Sequence, residues 1–346
     1  MNGRFIIRDI YEFFLQNLSR DKNNYLTLDD FLKTCPDYIT SDDDGFERVN
    51  VGLANHIRAL CDKMIDDSLL LSISKSSMIP FLNIYLSVDK VNSSNPEAFK
   101  HEIDYGTYDF EYQGFQFTRN YFFNSVIPIV GTNKEGNEDI GTCFYLGDNK
   151  FATAAHCIMG LKSFNLLDSD GKTLKLKEIW FAKDRELEDF DLAIITVEET
   201  LSIPDFDISE PEVLDDVLVM GYPPIPGLNP ILTAETASVG AFIRNPQKGA
   251  VGQVVSNAST YFNDLNYFLI NARVKGGNSG GPVINKQGKV IGIVVQIPLD
   301  SVGGIDGGRF DVMGYGVCLE AKYLQELMAN PDIHKLSFSE NSYVVL

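Results

Sequence analysis

Three polar side chains stand in contexts that suit one reaction, the transfer of an acyl group to water. Ser279 lies within the run Gly-Gly-Asn-Ser-Gly-Gly-Pro-Val, His156 ends the run Phe-Ala-Thr-Ala-Ala-His, and Asp191 precedes the apolar run Leu-Ala-Ile-Ile. Acyl transfer requires a nucleophile, a base that takes its proton, and a group that holds the base in the right tautomer. These residue types, in this chain order, can fill the three roles.

Each of the three segments also has a simpler interpretation. A glycine-rich run suits a hairpin turn, an aspartate before an apolar run is a common strand start, and Asp189 is close enough to compete with Asp191. The glycines nevertheless have a mechanical use. Without Cβ atoms the backbone can turn tightly enough for the N–H groups of Gly277 and Ser279 to point together at an oxyanion.

Taken together, the segments resemble the motifs of the trypsin-like, chymotrypsin-fold serine proteases. The serine segment is closest in form to that of the high-temperature-requirement (HtrA/Deg) and glutamyl-endopeptidase branches, and Thr-Ala-Ala-His-Cys157 resembles the family's histidine motif. The resemblance covers about residues 120–330. It implies a serine endopeptidase that acts on protein or peptide substrates through an acyl-enzyme and needs no metal or organic cofactor. The implied site consists of the catalytic residues His156, Asp191 and Ser279, with Gly277 and Ser279 as the oxyanion hole.

The same resemblance implies a substrate pocket near Ser279. By position relative to the serine, Arg273 would lie at the base of this pocket, which excludes a carboxylate that selects Lys or Arg side chains. Arg273 could instead select acidic side chains through charge-assisted hydrogen bonds. An apolar pocket for a small or medium aliphatic residue is the favoured alternative, and its lining would be Val295, Ile297 and Gly314.

Two departures from the family concern regulation and redox state. Zymogen-type members carry an Asp immediately before the nucleophile, where this chain has Asn278, so we expect control by loop ordering or a partner and not by an activating cut. The chain has five cysteines and no Cys-x-x-Cys pair, which argues against a disulfide framework and a structural zinc site. Although Cys143 and Cys157 flank the histidine segment much as a family disulfide does, we expect both to be reduced.

The elements that must position these residues are predicted to be mostly strands. From Tyr121 onward, short apolar runs are separated by Gly, Pro, Asn and Asp, a pattern typical of all-β domains. Together with the resemblance to trypsin-like proteases, this strand pattern predicts a double β-barrel protease domain over residues 120–330, a C-terminal helix over 321–328 and a tail over 331–346. The predicted strands are 125–130, 143–146, 150–153, 192–197, 217–220, 268–271, 282–284, 290–296 and 314–318.

Residues 1–90 show a different, mainly helical pattern. Apolar residues recur at helical spacing over 6–18 and 49–64, a capping box opens a short helix at Thr27, and 69–73 and 81–88 predict a strand pair. Three helices and a strand pair resemble a winged-helix domain, although a helical adaptor or packing domain of another fold fits equally well. For residues 91–119 we predict a linker and a leading strand, since aromatic residues alternate over 108–117.

Charge restricts the partners. The chain carries a formal net charge of -19, and within residues 1–110 there are 11 Lys and Arg against 18 Asp and Glu, a net of -7. Such a field repels phosphate backbones and anionic headgroups, so nucleic acid and membranes are poor partners and DNA binding by residues 1–90 is disfavoured.

Without a signal-peptide pattern or a long apolar run, the expected location is cytoplasmic. Residues 1–90 would then bind a regulatory protein partner. The alternative is a catalytically silent protease-fold scaffold that binds peptides or proteins.

Overall fold

The chain divides into two compact units, Met1–Tyr112 and Gln113–Leu346. The structure is a computed structural model. It describes residues 4–41, 47–74, 80–88, 95–159, 161–182, 190–223, 230–243, 265–272, 274, 276–295, 316–329 and 333–337.

The first unit contains the helices and the strand pair that the sequence predicts. Its elements are α1 (Ile6–Leu15), α2 (Leu28–Leu32), β1 (Ile39–Ser41), β2 (Glu47–Val49), α3 (Val51–Asp66), β3 (Leu70–Ser74), β4 (Ile84–Ser87) and α4 (Pro96–Tyr105). The capping box is confirmed: the Thr27 hydroxyl accepts from the Asp30 N–H while the Asp30 carboxylate accepts from the Thr27 N–H. Asn50 caps α3 in the same way, accepting from the Leu53 N–H.

The core of this unit combines aliphatic and aromatic side chains, and two polar side chains are buried in the same unit. Phe14, Phe31 and Tyr85 are buried with the apolar faces of α1, α2 and α3. Asn17 is buried, and its side-chain amide donates to the carbonyl of Tyr85 in β4 at 2.8 Å. The buried Asp109 carboxylate accepts from the backbone N–H groups of the first turn of α1 at 2.8 and 3.0 Å, which supplies the acceptors that a helix N-terminus lacks.

The predicted leading strand over 108–117 is wrong. This part of the chain is helical: α5 (Thr107–Tyr121) follows α4, with a kink where Gly114 has a φ of 73°. Asn95 caps α4 and Pro96 occupies its first turn, both of which favour a helix. Tyr108 and Tyr112, four residues apart, lie on one helical face and pack on the same core. Phe110, between them in the sequence, is buried against Phe5 and Tyr105.

The second unit begins with an eight-stranded antiparallel sheet, in the order β18-β10-β11-β7-β6-β5-β8-β9. Its apolar residues form a core on one face of the sheet. The strands are β5 (Val126–Asn133), β6 (Glu138–Gly147), β7 (Lys150–Thr153), β8 (Leu161–Leu167), β9 (Thr173–Leu174), β10 (Leu176–Ala182), β11 (Ala193–Val197) and β18 (Ile333–Ser337).

The rest of the second unit is a closed six-stranded barrel, in the order β12-β13-β14-β17-β16-β15, followed by α6 (Lys322–Ala329). Each of the predicted strands has a counterpart, and the predicted terminal helix is confirmed. The predicted tail over 331–346 is wrong in part, because 333–337 form strand β18, which pairs with β10. The double barrel is only partly found, because the described residues close the second barrel whereas the first sheet ends in edge strands β9 and β18. The barrel strands are β12 (Asp216–Gly221), β13 (Thr233–Ile243), β14 (Tyr267–Ile270), β15 (Pro282–Asn285), β16 (Val290–Val294) and β17 (Gly316–Glu320).

Candidate active site

Strand pairing brings His156 and Asp191 together. Strands β7 and β11 are antiparallel neighbours in which Thr153, the last residue of β7, is paired with Ala193, the first residue of β11. A 3₁₀ turn over Ala155–Cys157 follows β7, so His156 comes just after the pair, and Asp191 lies just before it. Two segments 35 residues apart in sequence therefore meet at one end of two short strands.

The two side chains form the contact that a catalytic base requires. Nδ1 of His156 lies 2.6 Å from Oδ2 of Asp191, and the backbone N–H of His156 donates to Oδ1 at 2.9 Å. An ionised carboxylate only accepts, so Nδ1 carries the proton and the lone pair of Nε2 remains to receive another. Asp191 is 9% exposed and His156 is half-buried, which leaves the ring reachable from one side.

The neighbours of His156 act against the effect of its burial on its pKa. Burial by itself lowers the pKa of His156, because it disfavours the charged form. The Cys157 sulfur and the Asp191 carboxylate outweigh burial and raise the pKa of His156 above its ordinary value of 6.5. The Cys157 contribution is direct, since its Sγ lies 3.8 Å from Nε2 of the ring.

Ser279 lies in the tight loop between β14 and β15. Gly277 and Gly280 have φ values of 87° and 80°, a backbone region that side chains with a Cβ rarely adopt. A Cβ on Gly280 would lie 2.2 Å from the Thr153 hydroxyl oxygen and 2.3 Å from the Thr142 carbonyl oxygen. Gly280 is therefore the residue that lets the loop approach β6 and β7.

Backbone bonds on both sides fix this loop. The Ser279 carbonyl accepts from the Thr142 N–H at 3.0 Å, and the Gly280 N–H donates to the Val294 carbonyl at 2.7 Å. The Thr142 hydroxyl donates to the Gly277 carbonyl at 2.5 Å. Within the described part of the chain, the N–H groups of Gly277 and Ser279 meet no acceptor, as donors kept for an oxyanion would.

Cys157 connects the serine loop to the histidine. Its thiol donates to the Ser279 carbonyl at 3.2 Å, while the same sulfur contacts the His156 ring. The serine is half-buried and thus open to a substrate. Among the residues that the structure describes, the Ser279 hydroxyl and the His156 ring make no hydrogen bond to each other. The structure thus joins His156 to Asp191 and places Ser279 next to them through its backbone.

Asn278 is buried immediately before the serine. It is 7% exposed, and its Oδ1 has no hydrogen-bond partner in the part of the chain described. A carboxylate at this position would be a buried charge without a counter-ion there, which is costly, whereas a neutral amide is tolerated. This accounts for Asn where zymogen-type proteases have Asp.

Most of the predicted substrate pocket lies outside the described residues, namely Arg273, Ile297 and Gly314. Val295 is described and buried, with its N–H donating to the Val317 carbonyl at 3.0 Å. Val274 packs on Gly316, where a Cβ would lie 2.3 Å from a Val274 methyl carbon.

One residue of the site gave no signal in the sequence: Thr142 is buried and bonds to the serine loop through both its hydroxyl and its N–H. Cys157 belongs to the histidine motif, but the sequence did not predict its contacts with both His156 and Ser279. All five cysteines are free. In the described segments, no group of His, Cys, Asp and Glu side chains could hold a metal ion, and no helix is long and apolar enough to cross a membrane.

Residues 141–293, which include the histidine, the aspartate and the serine, match the model of the trypsin-like peptidase domain family. This part of the chain is similar to trypsin-like peptidase domains. It is similar to Protease Do-like 2, chloroplastic, of Arabidopsis thaliana, with 29% identity over 51% of this chain and 28% of that protein. It is also similar to the putative serine protease HhoB of Synechocystis sp., with 27% identity over 54% of this chain and 41% of that protein. The chain therefore spans less than half the length of either relative.

Among solved structures, the chain is similar to the Rv3671c protease from M. tuberculosis in its active form. The identity is 24% and the TM-score is 0.45, over 61% of this chain and 82% of that chain.

Proposed function

We propose that this chain is a serine endopeptidase in which Ser279 attacks the peptide carbonyl, His156 accepts the serine proton and Asp191 holds the imidazole. The observation that carries the proposal is the 2.6 Å contact between Nδ1 of His156 and Oδ2 of Asp191 within a trypsin-like peptidase domain. This contact leaves the Nε2 lone pair for the proton of the nucleophile. The N–H groups of Gly277 and Ser279 would stabilise the oxyanion.

The reaction requires a small movement of the serine side chain. Ser279 lies next to the histidine through the bond from the Cys157 thiol to its carbonyl, and a rotation about χ1 would carry Oγ toward Nε2. His156 would then pass the proton to the leaving amine, and water would hydrolyse the acyl-enzyme. Loop ordering by substrate or by a protein partner bound to residues 1–90 would favour this arrangement. A winged-helix fold for that segment and a cytoplasmic location remain predictions.

We further propose that the residue whose carbonyl is attacked is a small or medium aliphatic one. Val295 is buried and Val274 packs on Gly316, which favours an apolar pocket over one that selects acidic side chains through Arg273. A library of internally quenched peptides with Ala, Val, Leu, Glu or Lys at this position distinguishes an apolar pocket from one that selects acidic side chains. Preferred cleavage after Glu would overturn the aliphatic preference and support selection by Arg273.

The activity itself is tested with the same peptides and two variants. Ser279→Ala should abolish cleavage, and Asp191→Asn should lower kcat by about 10⁴-fold, because the histidine then takes the wrong tautomer. Equal cleavage by the wild type and Ser279→Ala would refute the proposed nucleophile. If a folded wild type cleaves no peptide in the library, the alternative of a silent peptide-binding scaffold is favoured.

A further inference from the structure

A cavity of about 410 Å³ lies on the eight-stranded sheet, and none of the proposed catalytic residues lines it. Its lining includes Lys150, Lys177, Glu178, Trp180 and Thr196. It lies beside the hairpin between β6 and β7, where Asp148 and Asn149 have positive φ values of 48° and 59°. The tight hairpin of two left-handed residues gives this edge of the cavity a fixed shape.

Strand register determines how the charged groups are arranged. Thr196 of β11 is paired with Lys150 of β7 on one side and with Glu178 of β10 on the other. Their sequence neighbours Phe151, Ile179, Ile195 and Val197 lie in the apolar core, so the three polar side chains face away from the core. Neighbouring strands are about 4.8 Å apart, so a cation and an anion stand roughly 10 Å apart at the backbone, with a hydroxyl between them.

Several of these polar groups have unmet bonding capacity. Thr196 is 7% exposed and its hydroxyl has no partner among the described residues. Among the described residues Lys150 forms one ion pair, with Asp148 at 3.8 Å, and that carboxylate is 91% exposed, so water screens the pair. The side chains of Lys177 and Glu178 form no ion pair or hydrogen bond within the same described segments. A buried hydroxyl without a partner is unfavourable unless a ligand or water satisfies it.

The Trp180 side chain adds an apolar surface to the cavity lining. Trp180 is half-buried, and Nζ of Lys150 lies 5.5 Å from the centroid of its ring system. The protein has a net charge of -19, which disfavours a ligand that is only anionic. The cavity lining carries both signs of charge, with Lys150 and Lys177 beside Asp148, Glu178 and Glu198. A ligand that carries both charges and no net charge complements such a lining.

We propose that this cavity binds a zwitterion of the amino-acid or dipeptide kind. The carboxylate of the ligand accepts from the Lys150 ammonium and the Thr196 hydroxyl, its ammonium donates to Glu178, and its apolar side chain covers part of the Trp180 indole. The site is separate from the proposed peptidase reaction. Lys150 and Thr196 nevertheless lie on β7 and β11, the two strands that carry His156 and Asp191 at their other ends.

Trp180 is the only tryptophan of the chain, so intrinsic tryptophan fluorescence reports on this cavity alone. The full chain is titrated with Ala-Leu and with free leucine, which distinguishes a peptide from an amino acid as the source of the zwitterion. N-acetyl-Ala-Leu, without the ammonium, and Ala-Leu-amide, without the carboxylate, serve as comparators. We expect a saturable change with at least one zwitterion and about tenfold weaker binding of both comparators, since each lacks one charge-assisted bond.

Substitutions test the residues one by one. Lys150→Met, Glu178→Gln and Thr196→Val should each weaken binding by about tenfold or more. Lys162→Met is the matched control, because Lys162 is an exposed lysine on β8 of the same sheet that does not line the cavity, and binding by this variant should equal that of the wild type. Thermal unfolding checks that each variant folds. No saturable change with either zwitterion, or equal binding of the singly charged comparators, would overturn the proposal.

Discussion

Thr142→Val tests whether the serine loop depends on a buried hydroxyl of the first sheet. The Thr142 hydroxyl donates to the Gly277 carbonyl at 2.5 Å and accepts from the Tyr222 N–H at 3.0 Å, and Thr142 is fully buried. Valine has nearly the same shape, so the substitution removes both bonds and leaves no cavity. It keeps the bond from the residue 142 N–H to the Ser279 carbonyl.

The two lost bonds set the expected magnitude. Each buried hydrogen bond contributes a net of about 0.5–1.5 kcal/mol to stability. The Gly277 carbonyl keeps the Tyr222 N–H as a donor at 3.3 Å, so neither partner is left wholly unsatisfied and the sum should be about 1–2 kcal/mol. If the whole loss of about 1–2 kcal/mol destabilises the ordered form of the serine loop, kcat/KM should fall by roughly 5- to 30-fold.

Urea unfolding followed by Trp180 fluorescence measures the free energy, and cleavage of a quenched peptide measures kcat/KM. Thr196→Val is the matched control, since it makes the same change at a buried threonine whose hydroxyl has no partner among the described residues. Its free energy of unfolding should be unchanged or slightly increased. Equal effects of the two substitutions on the free energy of unfolding would refute the role given to the Thr142 hydroxyl.

Three further predictions concern backbone, helix cap and pH. Gly280→Ala should lower kcat/KM by more than about 100-fold in the peptide assay, because the added Cβ would lie 2.2 Å from the Thr153 hydroxyl oxygen. Gly136→Ala is the control: Gly136 has a φ of 86° and nothing within 4 Å of the added Cβ, so this substitution should cost only about 1–2 kcal/mol of backbone strain. Asp109→Ala should lower the stability of the first unit by about 2 kcal/mol in calorimetry, because two N–H groups of α1 lose their acceptor. The value of kcat/KM should rise with pH around a His156 pKa above 6.5, because the imidazolium cannot accept the serine proton. Cys157→Ala should move this rise to lower pH, because Cys157 is one of the groups that raise the pKa of His156.

Each of these has a clear contrary result. Comparable activity of Gly280→Ala and Gly136→Ala would mean that the loop does not need its close approach to β7. For Asp109, a transition temperature unchanged by substitution would show that the cap adds nothing. A rise in activity centred below pH 6.5 would contradict the direction of the His156 shift.

The sequence contains enough information for the elements that carry strong local patterns. The runs at 150–153 and 192–197 are short and apolar, and β7 and β11 form there with His156 and Asp191 at their ends. Thr27 and Asp30 mark a helix start without any tertiary information, and α2 begins as they predict. Local chemistry and global fold agree at these places.

Other features arise only from pairing between distant segments. The aromatic alternation over 108–117 is compatible with a strand or a helix, and the packing of Tyr108 and Tyr112 on the first unit's core decides for the helix. The role of Thr142 depends on a contact with residue 277, far along the chain. The cavity beside Trp180 is assembled from three strands in register, which no single segment of sequence reveals.

Labelling with a fluorophosphonate probe tests the central claim most directly, because the probe reacts only with a serine activated by its neighbours. The account predicts that the full chain gains one covalent adduct, that intact mass and peptide mapping locate it at Ser279, and that Ser279→Ala and His156→Ala gain none. Failure of a folded wild type to react, or equal labelling of Ser279→Ala, would contradict the assignment of Ser279, His156 and Asp191 as a working triad.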